Sequence, residues 1–113
     1  MSIQMKIIDA LNRSGIPAYL PGRAPGECRT MHCVVSDGGR SREGRTTGRR
    51  IFLISVFVPE QRPGDLPVIM RRVPEALVSL RDVRETGDTS PVMFDDEKKA
   101  CVGTIEMYAL CAI

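Results

Sequence analysis

Hydrophobic positions change their spacing several times along the chain, and each change marks an element. Ile3, Ile7, Ile8 and Leu11 share one face at helical spacing, with Ser2 placed to cap the helix and Gly15 and Pro17 to stop it. AYLPGRAPGE, with its two Pro-Gly pairs, reads as a short extended piece followed by turns. Arg29 to Val35 then alternates, setting Met31, Cys33 and Val35 against Thr30, His32 and Val34, which predicts a strand. Arg50 to Val58 places Phe52, Ile54, Val56 and Val58 on one face and Ile51, Leu53, Ser55 and Phe57 on the other. Both faces are apolar, so this strand is expected at the centre of a sheet and covered on both sides.

Between these two strands lies SDGGRSREGRTTGRR, Ser36 to Arg50, with five arginines and four glycines. It contains almost nothing apolar to bury, and the spacing predicts a long flexible hairpin loop over 36–50. In the second half, Asp65 is expected to cap a helix with Pro67 in its first turn. Leu66, Ile69, Met70, Val73, Leu77 and Leu80 form the apolar stripe of that helix, which Pro74 should kink or shorten. Arg81 to Thr86 reads as a strand and GDTSP as a turn. In the final run, CVGTIEMYALCAI, Cys101, Ile105, Met107, Ala109, Cys111 and Ile113 alternate with Thr104, Glu106 and Tyr108, which predicts a long half-exposed strand. The order is α-β-β-α-β-β. This is an α+β fold over 1–113, with about four mostly antiparallel strands and two helices packed on one face.

A chain of 113 residues holds one domain with one core. Aromatics are scarce, so aliphatic side chains and Met must fill it. Net charge is only +2, so overall charge predicts neither a nucleic-acid nor a membrane partner; the positive charge is local. The N-terminal stretch lacks the continuous apolar run of a secretory signal, and the longest apolar segment is far short of the ~20 residues that cross a bilayer. The expectation is a soluble protein of the cytosol. Cys28, Cys33, Cys101 and Cys111 show no CxxC spacing and are expected to be free, mostly buried thiols.

Chemistry is sparse. CRTMHC offers Cys28, His32 and Cys33, but adjacent residues of a strand point to opposite faces, so His32 and Cys33 cannot converge on one metal ion. The expectation there is a buried thiol beside a partly exposed imidazole. Asp95, Asp96 and Glu97, followed by Lys98 and Lys99, read as a solvated turn that the lysines partly neutralise. No phosphate-loop or dinucleotide fingerprint is present, and no catalytic residue, metal or cofactor is expected. The candidates for a partner or DNA contact are Arg40, Arg42, Arg45, Arg49 and Arg50, because guanidinium groups bind phosphates and carboxylates bidentately. No aromatic residue is interleaved among them for base stacking.

Taken in order, SGIPAY, VVSDGGRS, FLISVFVPE, the helix led by DLP, and RETGDTSPVMFDDEKKA before a terminal strand resemble a known family. They are similar to the tail-terminator or tail-completion proteins of long-tailed bacteriophages and prophages. The resemblance covers nearly the whole chain and is most specific over Arg84 to Ala100. It implies a non-enzymatic α+β subunit that forms a ring, typically a hexamer, at the end of the tail tube. Such a ring stops tube growth, meets the tail-tube protein and the head–tail connector proteins, and lets DNA pass. It would be found in the host bacterial cytoplasm during assembly and then in the virion. A head-completion or adaptor protein at the portal shares this size and ring assembly. A small nucleic-acid-binding module using the Arg/Gly segment is the reading from a different class.

Overall fold

A computed structural model describes residues 2–24, 26–42, 44–45 and 47–112. The first helix, α1 (Ile3–Arg13), starts as the spacing predicts. Ser2 Oγ accepts the Met5 N–H at 3.2 Å, and Gly15, at φ +82°, follows the C-cap Ser14. Its buried residues are Ile7, Ile8 and Leu11. A two-residue strand, β1 (Ala18–Tyr19), leads through turns to β2 (His32–Arg42), with which it pairs in parallel. Next come β3 (Thr47–Pro59), α2 (Asp65–Ala76), β4 (Arg84–Thr89), β5 (Met93–Asp95) and β6 (Ala100–Ala112).

The sheet order is β1-β2-β3-β6-β4, and β5 also pairs with β6. Every pairing except β1–β2 is antiparallel. The fold is therefore α+β with a mostly antiparallel sheet and two helices, but it has six strands rather than about four. β1 and β5 escaped the periodicity reading because two or three residues are too few to show alternation. β4 starts at Arg84, later than expected, and runs through GDT; a register shift between Glu85 and Thr89 absorbs Gly87, at φ +89°.

One core lies between the helices and one face of the sheet. Cys33 and Val35 of β2, Phe52, Ile54, Val56 and Val58 of β3, and Ile105, Met107 and Ala109 of β6 pack against α1 and α2. Leu66, Ile69 and Val73 are buried on α2, and Leu77 caps it. The helix ends two residues after Pro74, whose missing N–H and bulky ring limit its length. Asp65 is not its cap. Gly64 holds that position without a side-chain hydrogen bond, and Asp65 sits in the first turn.

Two further expectations fail. β3 is central, but helices cover only one of its faces; on the other, Ile51, Leu53 and Ser55 are half-buried, and burial is reached only at the end, at Phe57 and Pro59. The long hairpin loop over 36–50 is also absent. Ser36 to Arg42 continue β2, Thr47 to Arg50 begin β3, and the connection is 43–46, of which Glu43 and Thr46 lie outside the described residues. The glycines and arginines hide this strand because they carry no apolar alternation. What orders the segment is backbone pairing: β3 pairs with β2 from Gly48 to Phe57 on one side and with β6 along its whole length on the other.

Candidate functional site

Beyond the helix-covered body, the ends of three strands continue together. Residues 39–42 of β2, 47–50 of β3 and 110–112 of β6 form a tongue, and the molecule measures 48 × 25 × 24 Å. Among the described residues, no member of the core lies between 36 and 51 or beyond Ala109. Sheet pairing, rather than packing in the core, carries this part of the chain.

The tongue begins at a bulge. The β2–β3 register shifts between Asp37 and Gly39, and Gly39, at φ +94°, takes the left-handed backbone that the kink requires. Asp37 stabilises it: Oδ1 accepts the Gly39 N–H at 2.8 Å, and Oδ2 accepts Arg50 Nε at 3.0 Å and also Arg50 Nη2. The Gly39 N–H first, and the guanidinium second, hold the Asp37 carboxyl below its ordinary range.

The five candidate arginines all belong to this region, but they do not form one patch. Arg40 lies directly opposite Arg50 on the β2–β3 ladder, a like-charge pair that neighbouring Asp37 partly neutralises. Arg42 holds the ladder position opposite Gly48. Arg49, next to Arg50, belongs to the helix-free face, where its Cζ sits 4.2 Å above the Tyr108 ring, a cation–π contact. Leu110, opposite Arg49 on β6, is 68 % exposed. Arg45 is exposed beside the turn. The tongue therefore presents guanidinium groups on both sides and an apolar side chain on one.

A second cluster lies on the helix-free face at the other end of the sheet. His32 is buried rather than partly exposed. It stacks on Phe57, with ring centroids 5.1 Å apart, and meets Tyr19 edge-on. Lys98 Nζ lies 3.2 Å from Nε2 and 4.6 Å from the Phe57 centroid. The Lys98 ammonium thus turns inward, where the sequence suggested a lysine neutralising the acidic turn. Cys28, not Cys33, is the thiol beside this imidazole, with Sγ 3.8 Å from Nδ1. Cys33 faces the core, and burial pushes its thiol up to about 12, so it stays protonated. Cys28 is also raised, by burial chiefly, with Lys98 opposing. Cys28, Cys33 and Cys101 are free thiols, whereas the side chain of Cys111 lies outside the described residues. Among the described residues, no group of three or more His, Cys, Asp or Glu side chains gathers as a metal site, and no helix is long and apolar enough to cross a membrane.

In the Asp95–Lys99 turn, Asp95 Oδ1 accepts the Glu97 and Lys98 N–H groups at 3.0 Å each, so this carboxylate serves the turn itself. Sequence reasoning missed the apolar surface just before it, where Val92, Met93 and Phe94 are all more than half exposed. VMF beside a run of carboxylates was the available signal, but it is too short to show periodicity. In comparisons with known proteins, no family model and no curated protein matches the chain.

Proposed function

We propose that this chain is a non-enzymatic structural subunit of a long-tailed phage or prophage. In this reading it is a tail-terminator or tail-completion protein whose ring closes the tail tube and joins it to the head. The observation that carries the reading is the tongue: a three-stranded extension outside the core, rich in arginine, projecting from a helix-backed sheet. A surface that contributes little to the core is free to serve assembly, and arginine suits contact with an acidic protein surface or with DNA phosphates. The series of segments from SGIPAY to DDEKKA points to the same family.

The test is to add purified protein to tail tubes and image them by electron microscopy. Rings at tube ends, and tubes of defined length, are the expected result. Unchanged tubes, together with full phage yield when the gene is deleted from its phage or prophage, would overturn the proposal. The arginines also favour a second reading, a small nucleic-acid-binding module. That reading predicts DNA affinity by the isolated chain that falls steeply as salt rises, with no ring.

A further inference from the structure

Among the described residues, the sheet has an uncovered edge on each side. β1 pairs with β2 only at Cys33 and Val34, and Gln4 Nε2 donates to the Val35 carbonyl at 2.8 Å, so from Ser36 to Arg42 no strand lies outside β2. On the opposite side, β4 has β6 as its one strand neighbour. Such edges offer peptide groups to another strand. The ladder shows which groups face out. The Cys33 N–H bonds outward, to the Pro17 carbonyl at 2.8 Å, so Cys33 and Val56 turn their peptide groups away from each other. Counting in twos along β3, the pairs at Phe52 and Arg50 do the same, which directs the N–H and C=O of Arg40, opposite Arg50, outward. Phe52 then exchanges its bonds with Met107, and Met107 turns away from β4, so the N–H and C=O of Glu85, opposite Met107, point out from the other edge. Thr104, of the opposite parity on β6, accordingly accepts the Ser90 N–H at 3.0 Å.

The two edges match each other in direction, face and charge. β2, β3, β6 and β4 alternate in direction, so β4 of a copy displaced sideways runs antiparallel to β2. By register, Arg40 shares the helix-covered side of the sheet with Arg50 and Ala109, and Glu85 shares it with Met107. Set opposite each other, Arg40 and Glu85 therefore bring both side chains to one face and both sets of peptide groups into the shared ladder. Both side chains are exposed, and an acidic partner would offset the like charges that Arg40 and Arg50 place across the β2–β3 ladder. Two β2 edges would instead bring arginine to arginine. We infer that β4 of one copy of this chain adds to the outer edge of β2 in the next, Glu85 opposite Arg40, so that the sheet continues from subunit to subunit with the helices all on one side. The contact is heterologous, each copy giving β4 to one neighbour and β2 to the other, the kind of interface that closes a ring. Only the ring, and not the pairing, rests on the proposed function.

Charge exchange tests it, read by sedimentation of the full chain over a concentration series. Wild type is expected to associate. Arg40→Glu and, separately, Glu85→Arg should each weaken association about tenfold. Circular dichroism should show both variants folded, since both side chains are exposed. Combined in one chain, or mixed one to one, the two substitutions set opposite charges across the contact again, and association should return. Amide exchange followed by NMR separates strand pairing from a contact of charges alone: the Arg40 and Glu85 amides should exchange fast in dilute protein and slow down on association. Single variants that associate like wild type overturn the inference, and so do a mixture and a combined chain that both stay dissociated, or two amides that stay fast in the associated state. An effect confined to Arg40→Glu would mean that β4 is not the partner edge, and the inference fails. It fails too if Arg40→Glu abolishes binding of a short DNA duplex while self-association is unchanged, because the edge then serves nucleic acid. A strictly monomeric wild type overturns it as well; rings forming on added tail tubes would then preserve the proposed function and remove only this contact.

Discussion

At the scale of single residues, His32 shows how burial and neighbours together fix a protonation state. Its Nδ1 lies 3.1 Å from the Thr30 carbonyl, which can only accept, so Nδ1 carries the proton. Nε2 is then a bare acceptor facing the Lys98 ammonium at 3.2 Å. Protonating it would place two cations in contact. Burial, first, holds the imidazole below 6.5; the Thr30 bond opposes it, and Lys98 adds a smaller lowering effect. The unfolded chain therefore takes up this proton more readily than the folded one. The neutral imidazole's contribution to stability is complete above 6.5 and is lost as pH falls from there toward the folded value. Because His32 is the chain's only histidine, one NMR titration reads it directly, and the midpoint should fall below 6.5. A midpoint at or above 6.5 would mean that the imidazole is not buried as described. His32→Gln should flatten the acid side of the stability profile. The motif CRTMHC made this cluster only partly legible. Strand alternation correctly separates His32 from Cys33, but nothing in the spacing says that Cys28 and a lysine 66 positions away fold back onto the same imidazole.

At the scale of elements, both helices could be read from the sequence because their 3.6-residue period survives burial on one side. The strands were legible only where apolar side chains alternate, which is why β6, including its tongue end, and the helix-covered part of β3 emerged, and the β2 and β3 parts of the tongue did not. β6 was placed correctly: Ile105 is 2 % exposed and packs in the core, while Glu106 lies on the other face and accepts a hydrogen bond from Thr86 Oγ1 at 3.2 Å. Truncating such a core residue costs ~2–5 kcal/mol, and a buried carboxylate costs more, against a total stability of roughly 5–15 kcal/mol. Ile105→Asp should therefore leave little folded protein in a thermal melt, while Glu106→Gln changes the midpoint little. Gly103 marks where α2 comes nearest to β6. A Cβ there would overlap Met70 Sδ and stand 3.0 Å from Met70 Cε, with Leu66 Cδ1 at 3.7 Å. Met70 is unbranched and half-buried, so it can yield to one methyl group, and Gly103→Ala should be tolerated. Gly103→Val brings branches that Met70 cannot clear without moving α2, and should cost about 1–3 kcal/mol in chemical denaturation. A valine variant as stable as wild type would show that α2 stands further from β6.

At the scale of the whole molecule, the chain is a helix-backed body with a tongue that its core does not support. Helices back the sheet at Phe52 to Val58 and at Cys101 to Ala109, so opening those rungs exposes buried apolar surface. Opening the rungs formed by 40–42, 47–49 and 110–112 breaks hydrogen bonds but uncovers no member of the core. The free energy of local opening should therefore fall along the same three strands from body to tongue, although the ladder is continuous. Hydrogen exchange followed by mass spectrometry tests this in two states. In the free chain, amides of Ile54–Val58 and Gly103–Met107 should exchange only with global unfolding, and those of the tongue much sooner. On assembly, the tongue amides should slow toward the rate of the body, because a partner then replaces the missing layer, while the body changes little. A tongue as protected as the body in the free chain would mean that pairing alone stabilises it and that no partner is needed to order it. A tongue that stays fast in assembled particles would mean that the arginines project without contact, and the functional site would have to be sought on the helix-free face instead.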